Sequence, residues 1–168
     1  AAAKELKTKP TQHSVKELQS LGIQPDILVL RTEHTLSDSL KKKVANFCNV
    51  SPDAVVQSLD QPTIYEVPLR MQEQHLDATI MKKMGMPVET PELGPWRSFL
   101  ERRHRATEVV NIGLVGKYDL QDAYKSILES LSQAGTYNDY KVRTTFINSE
   151  KITDATVADM LKGMHGLV

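Results

Sequence analysis

The stretch Val109-Val110-Asn111-Ile112-Gly113-Leu114-Val115-Gly116 decides the fold class. It is almost continuously aliphatic and lacks the polar alternation of a strand with one face in water. It therefore reads as a strand buried on both faces, which is the pattern of a parallel sheet. Downstream, Asp122 to Leu131 sets Ala123, Ile127 and Leu131 four residues apart, as an amphipathic helix does. Tyr140 to Ile147 then alternates, with Val142 and Phe146 among polar residues, and predicts a strand. Thr156 to Met164 predicts another helix, and Leu167-Val168 reads as the opening of a further strand. Strand, helix, strand, helix is the order of a parallel sheet covered by its crossover helices.

Upstream the same order recurs. Gln12 to Leu21 carries Val15, Leu18 and Leu21 at helical spacing and ends at Gly22, the residue favoured just past a helix. Asp26-Ile27-Leu28-Val29-Leu30-Arg31 predicts a buried strand. Ser37 is placed to cap a helix bearing Leu40, Val44 and Phe47 on one face. Ala54-Val55-Val56 predicts a second strand, and Thr63 to Lys83 reads as helical in two pieces, with Pro68 opening the second. Between the halves, Pro87, Pro91, Gly94 and Pro95 are too dense for a regular element. Trp96 to Arg105 follows as a charged helix with a thin stripe of Trp96, Phe99 and Leu100. The expected architecture is α/β: two incomplete parallel-sheet, Rossmann-like three-layer domains over residues 1–85 and 109–168, joined by a Pro/Gly-rich linker at 86–108. Ala1-Ala2-Ala3 lacks the apolar core and cleavage site of a leader. With the strand opening at Val168, it suggests an internal segment of a longer protein.

A length of 168 residues suits one domain or two small ones. Lys and Arg number 21 against 21 Asp and Glu, which argues against a binder of nucleic acid working through a global basic field. No apolar run approaches the roughly 20 residues that span a bilayer. The single cysteine, Cys48, excludes an intrachain disulfide and a multi-cysteine zinc site and suits a reducing cytoplasm. It has no Gly-flanked elbow and reads as a packed thiol. The five histidines show no i,i+4 pair and no HExxH, so no metal is assigned. Asp60 and Asp77 stand without a recognisable acid/base partner.

Lys7-Thr8-Lys9-Pro10-Thr11-Gln12-His13-Ser14 gathers two lysines and two threonine hydroxyls at the start of the first helix, the chemistry a polyphosphate needs. A polar, solvated lead-in to a helix has the same composition, so composition leaves both readings open. Lys41-Lys42-Lys43 fans over about 200° of a helix, so at most two of the three can share one target. Gly113 to Tyr118 has neither the GxxxxGK[ST] nor the GxGxxG spacing. Its place after a strand would set Lys117 and Tyr118 near a ligand crevice or in a plain turn.

Lys7 to Val15, followed by Gly22-Ile23-Gln24-Pro25-Asp26, closely resembles the CTP synthase family. The resemblance continues in order through Phe47-Cys48-Asn49-Val50, Ile64-Tyr65, Trp96, Ile112 to Tyr118 and Asp122 to Ser126. It implies the end of an amidoligase domain, a linker and the start of a class I glutamine amidotransferase domain. The implied reaction is ATP-dependent phosphorylation of the uracil O4 of UTP, followed by replacement of phosphate with ammonia from glutamine. ATP and Mg2+ serve the first domain, GTP activates and CTP inhibits, and the enzyme is a cytoplasmic homotetramer.

The resemblance also implies site residues. Lys7, Thr8, Lys9, Pro10, Thr11 and Gln12 contribute to the UTP/CTP site across a subunit interface, with Lys43 contacting the triphosphate. Leu59, Asp60 and Gln61 fall on the turn that contacts adenine, where Asp60 alone follows the usual pattern. The Mg2+ ligands and all catalytic residues fall outside the segment, so the piece alone is expected to be inactive. Tyr118 to Asp122 is one residue shorter than a common form of the family. The competing reading is a non-catalytic nucleotide-binding or assembly module that keeps the same surfaces.

Overall fold

In the computed structural model, which describes residues 6–118 and 121–168, the alternation read from the sequence becomes two parallel sheets. The expectations placed on Ala1-Ala2-Ala3 and on the turn at residues 119 and 120 lie outside the described residues. The chain divides into two compact units, residues 1–91 and 92–168.

In the first unit, helix α1 (Lys9–Ser20) starts three residues earlier than its apolar spacing predicts. Pro10 explains this: its fixed φ and missing N–H suit the first helical turn. The helix ends as expected, with Gly22 at φ 80°. Strand β1 (Leu28–Thr32) leads to α2 (Asp38–Cys48), whose N-cap Ser37 accepts a hydrogen bond from the Leu40 amide at 3.3 Å. The buried face of α2 is Val44, Ala45 and Cys48; Phe47, expected inside, is 60% exposed. Asn49 closes the helix in the left-handed region, φ 54°. A 3-10 turn at Pro52–Ala54 precedes β2 (Val55–Leu59), which runs three residues further than the apolar run suggests. β1 and β2 pair in parallel, Leu28 opposite Val55 through Thr32 opposite Leu59. Val15, Leu28, Val44, Ala45, Cys48 and Val55 form the core of this unit.

The segment expected as two helical pieces has three. A 3-10 turn (Ile64–Glu66) is followed by α3 (Val67–Glu73) and α4 (Leu76–Lys83). Pro68 does open α3, and His75 at φ 58° breaks the run before α4, a backbone conformation the apolar pattern does not encode.

In the second unit, α5 (Gly94–Arg105) buries Leu100, and Phe99 packs between Trp96 and Tyr137 with ring centroids 6.0 and 5.8 Å away. Strand β3 (Val109–Gly116) has the bounds its sequence predicts. A 3-10 turn at Gln121–Tyr124 leads into α6 (Lys125–Tyr137), which continues six residues past Leu131. β4 (Lys141–Asn148), a short α7 (Val157–Met160) and β5 (Gly166–Leu167) follow. The last helix is four residues long where nine were expected, because hydrogen-bonded turns replace it after Met160. The sheet order is β4-β3-β5, all parallel, with β3 central as its two-sided apolar pattern requires. Of the apolar residues in the expected alternation, Phe146 is 37% exposed with its ring centroid 5.6 Å from that of Tyr124, while the neighbouring Ile147 is buried.

Gly135 lies in α6, where alanine is preferred by about 1 kcal/mol. A Cβ there would sit 2.6 Å from Val142 Cγ2 and 2.9 Å from the Tyr140 carbonyl oxygen, and the latter is backbone that cannot swing aside. Overpacking of this kind costs about 1–3 kcal/mol. Gly135→Ala is therefore expected to lower stability, by about 1 kcal/mol net, in a urea titration followed by Trp96, the chain's single tryptophan. Cys48 is fully buried, and burial pushes its thiol above the usual range, so less thiolate is present at any pH than in a free cysteine. It is expected to resist a disulfide reagent at pH 8 in the folded chain and to react once denatured.

Candidate functional site

The first unit holds an open cleft of about 1240 Å³ between the start of α1 and the carboxyl end of β1. One wall is Lys7, Thr8, Pro10, Thr11 and Ser14; the other is Arg31, Thr32, Glu33, His34 and Leu36, with Asp60 at the rim. The parallel topology places it there: strand ends and helix starts meet on one side of such a sheet.

Thr8 does not cap α1 with its side chain; its hydroxyl accepts from Gln12 Nε2 at 3.2 Å. Pro10 removes one donor from the first turn, and Ser14 Oγ donates back to the Pro10 carbonyl at 3.1 Å. The exposed Lys7 ammonium and the Thr8 and Thr11 hydroxyls thus stand together at the positive end of a twelve-residue helix.

Asp60, isolated in sequence, has a partner in space: Arg31 Nε approaches Asp60 Oδ1 at 3.0 Å. With the arginine side chain 83% exposed, this surface pair contributes about 0–1 kcal/mol. The Asp60 amide donates to the Thr32 carbonyl at 2.9 Å, extending the β1–β2 ladder past the strands. Gln61 folds over its own turn, donating to the carbonyls of Leu59 and Asp60 at 3.0 and 3.1 Å and accepting from Arg70 at 3.2 Å.

Lys7, Thr8, Pro10, Thr11 and Asp60 therefore share one cleft. Lys9, Gln12, Lys43, Leu59 and Gln61 are not among its lining residues, and Lys9 and Lys43 are exposed. Lys41 turns the other way from Lys43 and donates to Gln74 Oε1 at 3.3 Å. In the second unit Tyr118 is 62% exposed, its amide donating to the Tyr124 hydroxyl at 3.1 Å, and Lys117 pairs with Glu150 at 3.4 Å. Among the described residues no three His, Cys, Asp or Glu side chains converge on a metal-sized site. Among the described residues no helix is long and apolar enough to cross a membrane.

Sequence reasoning missed the polar groups that shape the cleft. Gln57 lies in β2 with 5% exposure, and Gln74 of the α3–α4 junction reaches it. The Gln57 amide donates to Gln74 Oε1 at 2.8 Å, and Gln74 Nε2 donates to the Gln57 carbonyl. One side-chain amide thereby satisfies both backbone groups that Gln57 turns away from β1, and blunts the middle of an edge that would otherwise template another strand. The available signal was a glutamine directly after the apolar run Ala54-Val55-Val56.

Gln74→Ala is expected to destabilise the first unit by about 1–3 kcal/mol, the cost of buried backbone groups left unsatisfied. Loss of hydrogen-exchange protection at the Gln57 amide checks this, and unchanged protection would contradict it.

Comparison with known proteins adds the family. A profile of the CTP synthase N-terminus matches residues 1–86. CTP synthase from Bacteroides thetaiotaomicron is 73% identical over 171 residues, covering 100% of this chain and 32% of its own length. That from Porphyromonas gingivalis is 62% identical with the same coverage, and that from Caldanaerobacter subterraneus 47% identical over 98% of this chain. The chain spans about a third of the length of the curated relatives it matches.

Proposed function

Because this chain belongs to the CTP synthase family, we propose that it is part of a ligase that aminates UTP to CTP at the expense of ATP, with ammonia drawn from glutamine. The observation that carries this reading is the single cleft combining Lys7, Thr8, Pro10 and Thr11 with the carboxyl end of β1 and Asp60. It is open, and where α1 begins it presents the Lys7 ammonium, two threonine hydroxyls and a helix N-terminus, as the phosphates of a nucleoside triphosphate require.

In this reading Lys7 to Gln12 receive UTP, or CTP as inhibitor, with Lys43 reaching the phosphates. Leu59, Asp60 and Gln61 flank the adenine of ATP. ATP transfers its γ-phosphoryl to the uracil O4, leaving ADP; ammonia then attacks C4 and phosphate departs. This chain's residues bind and orient the nucleotides. Mg2+ would accompany ATP, with ligands that the family resemblance places outside this segment. Residues 1–85 would belong to the amidoligase domain and 109–168 would open the glutaminase, regulated by GTP in a cytoplasmic homotetramer. Two findings support a boundary near 86–108: the profile match ends at residue 86, and the units divide between Pro91 and Glu92. Helix α5 lies within the second unit, which narrows the irregular part of the proposed linker to 86–93.

Calorimetry of UTP binding to the complete synthase carrying this segment tests the assignment. Lys9→Ala and Lys43→Ala are each expected to weaken binding by about 1–3 kcal/mol, the range for a charged hydrogen bond. Lys41→Ala should change it little, because Lys41 already serves Gln74. Equal losses at Lys41 and Lys43, with the assembly intact, would contradict the assignment. No loss at any of the three would refute the UTP reading.

A further inference from the structure

The wall of the cleft formed by Thr32 to Leu36 has no helix or strand bonds beyond Thr32, yet it is tightly held. A single side chain holds it. Gln57 Nε2 donates to Thr32 Oγ1 at 2.5 Å and to the His34 carbonyl at 2.7 Å, while Gln57 Oε1 accepts from the Leu36 amide at 3.1 Å. The Thr32 hydroxyl closes the set by donating to the same His34 carbonyl at 2.9 Å. The amide's orientation is fixed chemically, since a backbone carbonyl meets its nitrogen and a backbone N–H meets its oxygen. Leu36, 7% exposed, plugs the base of the wall. Gln57 is buried and does not line the cleft, so it reaches the site through residues that do.

We propose that Gln57 is a positioning residue for nucleotide binding: its carboxamide sets the course of Thr32–Leu36, the cleft wall joined to the Asp60 turn by the Asp60 amide to Thr32 carbonyl bond. This rests on the nucleotide reading above and adds a residue to it. Neither Gln57 nor the wall touches the phosphates in that reading. The consequence falls on the nucleotide held beside Asp60, which is ATP. Gln57→Leu keeps the bulk and removes all three bonds. Gln57→Glu keeps an acceptor for Leu36 and sets a carboxylate oxygen against the His34 carbonyl. Gln74 adds rigidity from behind, because it fixes the Gln57 backbone from which the carboxamide projects.

The test is steady-state kinetics of the complete synthase with ATP varied at saturating UTP and glutamine. Gln57→Leu and Gln57→Glu are expected to raise the KM for ATP about tenfold, with kcat at saturation within about twofold of the parent. A side chain serving only to hold the fold would instead lower the active fraction, and kcat with it, at unchanged KM. Thr32→Ser, which keeps the hydroxyl, should leave KM in place, and Thr32→Val should raise it. Should the Gln57 variants not fold, hydrogen exchange of the unmodified protein decides: the Leu36 amide must be protected like those of β2, and fast exchange overturns the proposal. ATP-induced protection at residues 59–61 tests the underlying reading separately. If ATP protects 59–61 while the Gln57 variants keep the parent KM, the positioning role is wrong and the nucleotide site stands. If ATP leaves 59–61 unprotected while Leu36 is held, the site reading fails and the bonded wall remains.

Discussion

A buried amide inside a short parallel strand must find partners for its backbone and its side chain alike, and at Gln57 all four polar groups do. Gln74 takes the backbone N–H and C=O on the outer edge of β2; Thr32, His34 and Leu36 take the side chain. Leaving any of these groups unpaired in a site 5% exposed would cost about 1–3 kcal/mol. That requirement ties three pieces together. The α3–α4 junction is drawn onto the sheet edge, α2 is joined through Lys41, and the otherwise irregular wall of the cleft is pinned to the strand beneath it.

The cleft follows from this frame. Parallel pairing of β1 with β2 brings the carboxyl ends of both strands to one side, and the Asp60 to Thr32 bond carries the ladder into the turn. The start of α1 supplies a lysine and hydroxyls opposite. Function in the proposed synthase then depends on two walls with different physical characters. The α1 side is exposed and cationic, suited to phosphate. The β1 side is held by a buried polar network, suited to fixing a shape.

Much of this was legible in the sequence, and the failures have specific causes. β3 emerged with its predicted bounds because a nearly continuous aliphatic run marks a central parallel strand, although only Gly113 and Leu114 in it are buried and Val109 at its start is exposed. The cap at Ser37 and the stop at Gly22 held because each rests on one local requirement of the backbone. Phe47 was assigned to the core by helical spacing, yet the face that packs passes through Ala45 and Cys48; spacing alone does not say which of two adjacent stripes faces inward. His75 in the left-handed region and the short α7 depend on tertiary contacts that no local pattern carries. In the cleft, Lys7 to Thr11 were visible as chemistry. Gln57, Gln74 and the Arg31–Asp60 pair were not, because each acts through a partner at least 17 residues away.

The central claim is that the start of α1 and the end of β1 form one nucleotide cleft. The most direct measurement is a crystal structure of the complete synthase with UTP and an ATP analogue bound. The account predicts the UTP triphosphate against Lys7 to Gln12 and the adenine against Leu59 to Gln61, with Thr32–Leu36 on its present course. Electron density for either nucleotide seated elsewhere, with Lys7 to Thr11 left in solvent, would contradict it.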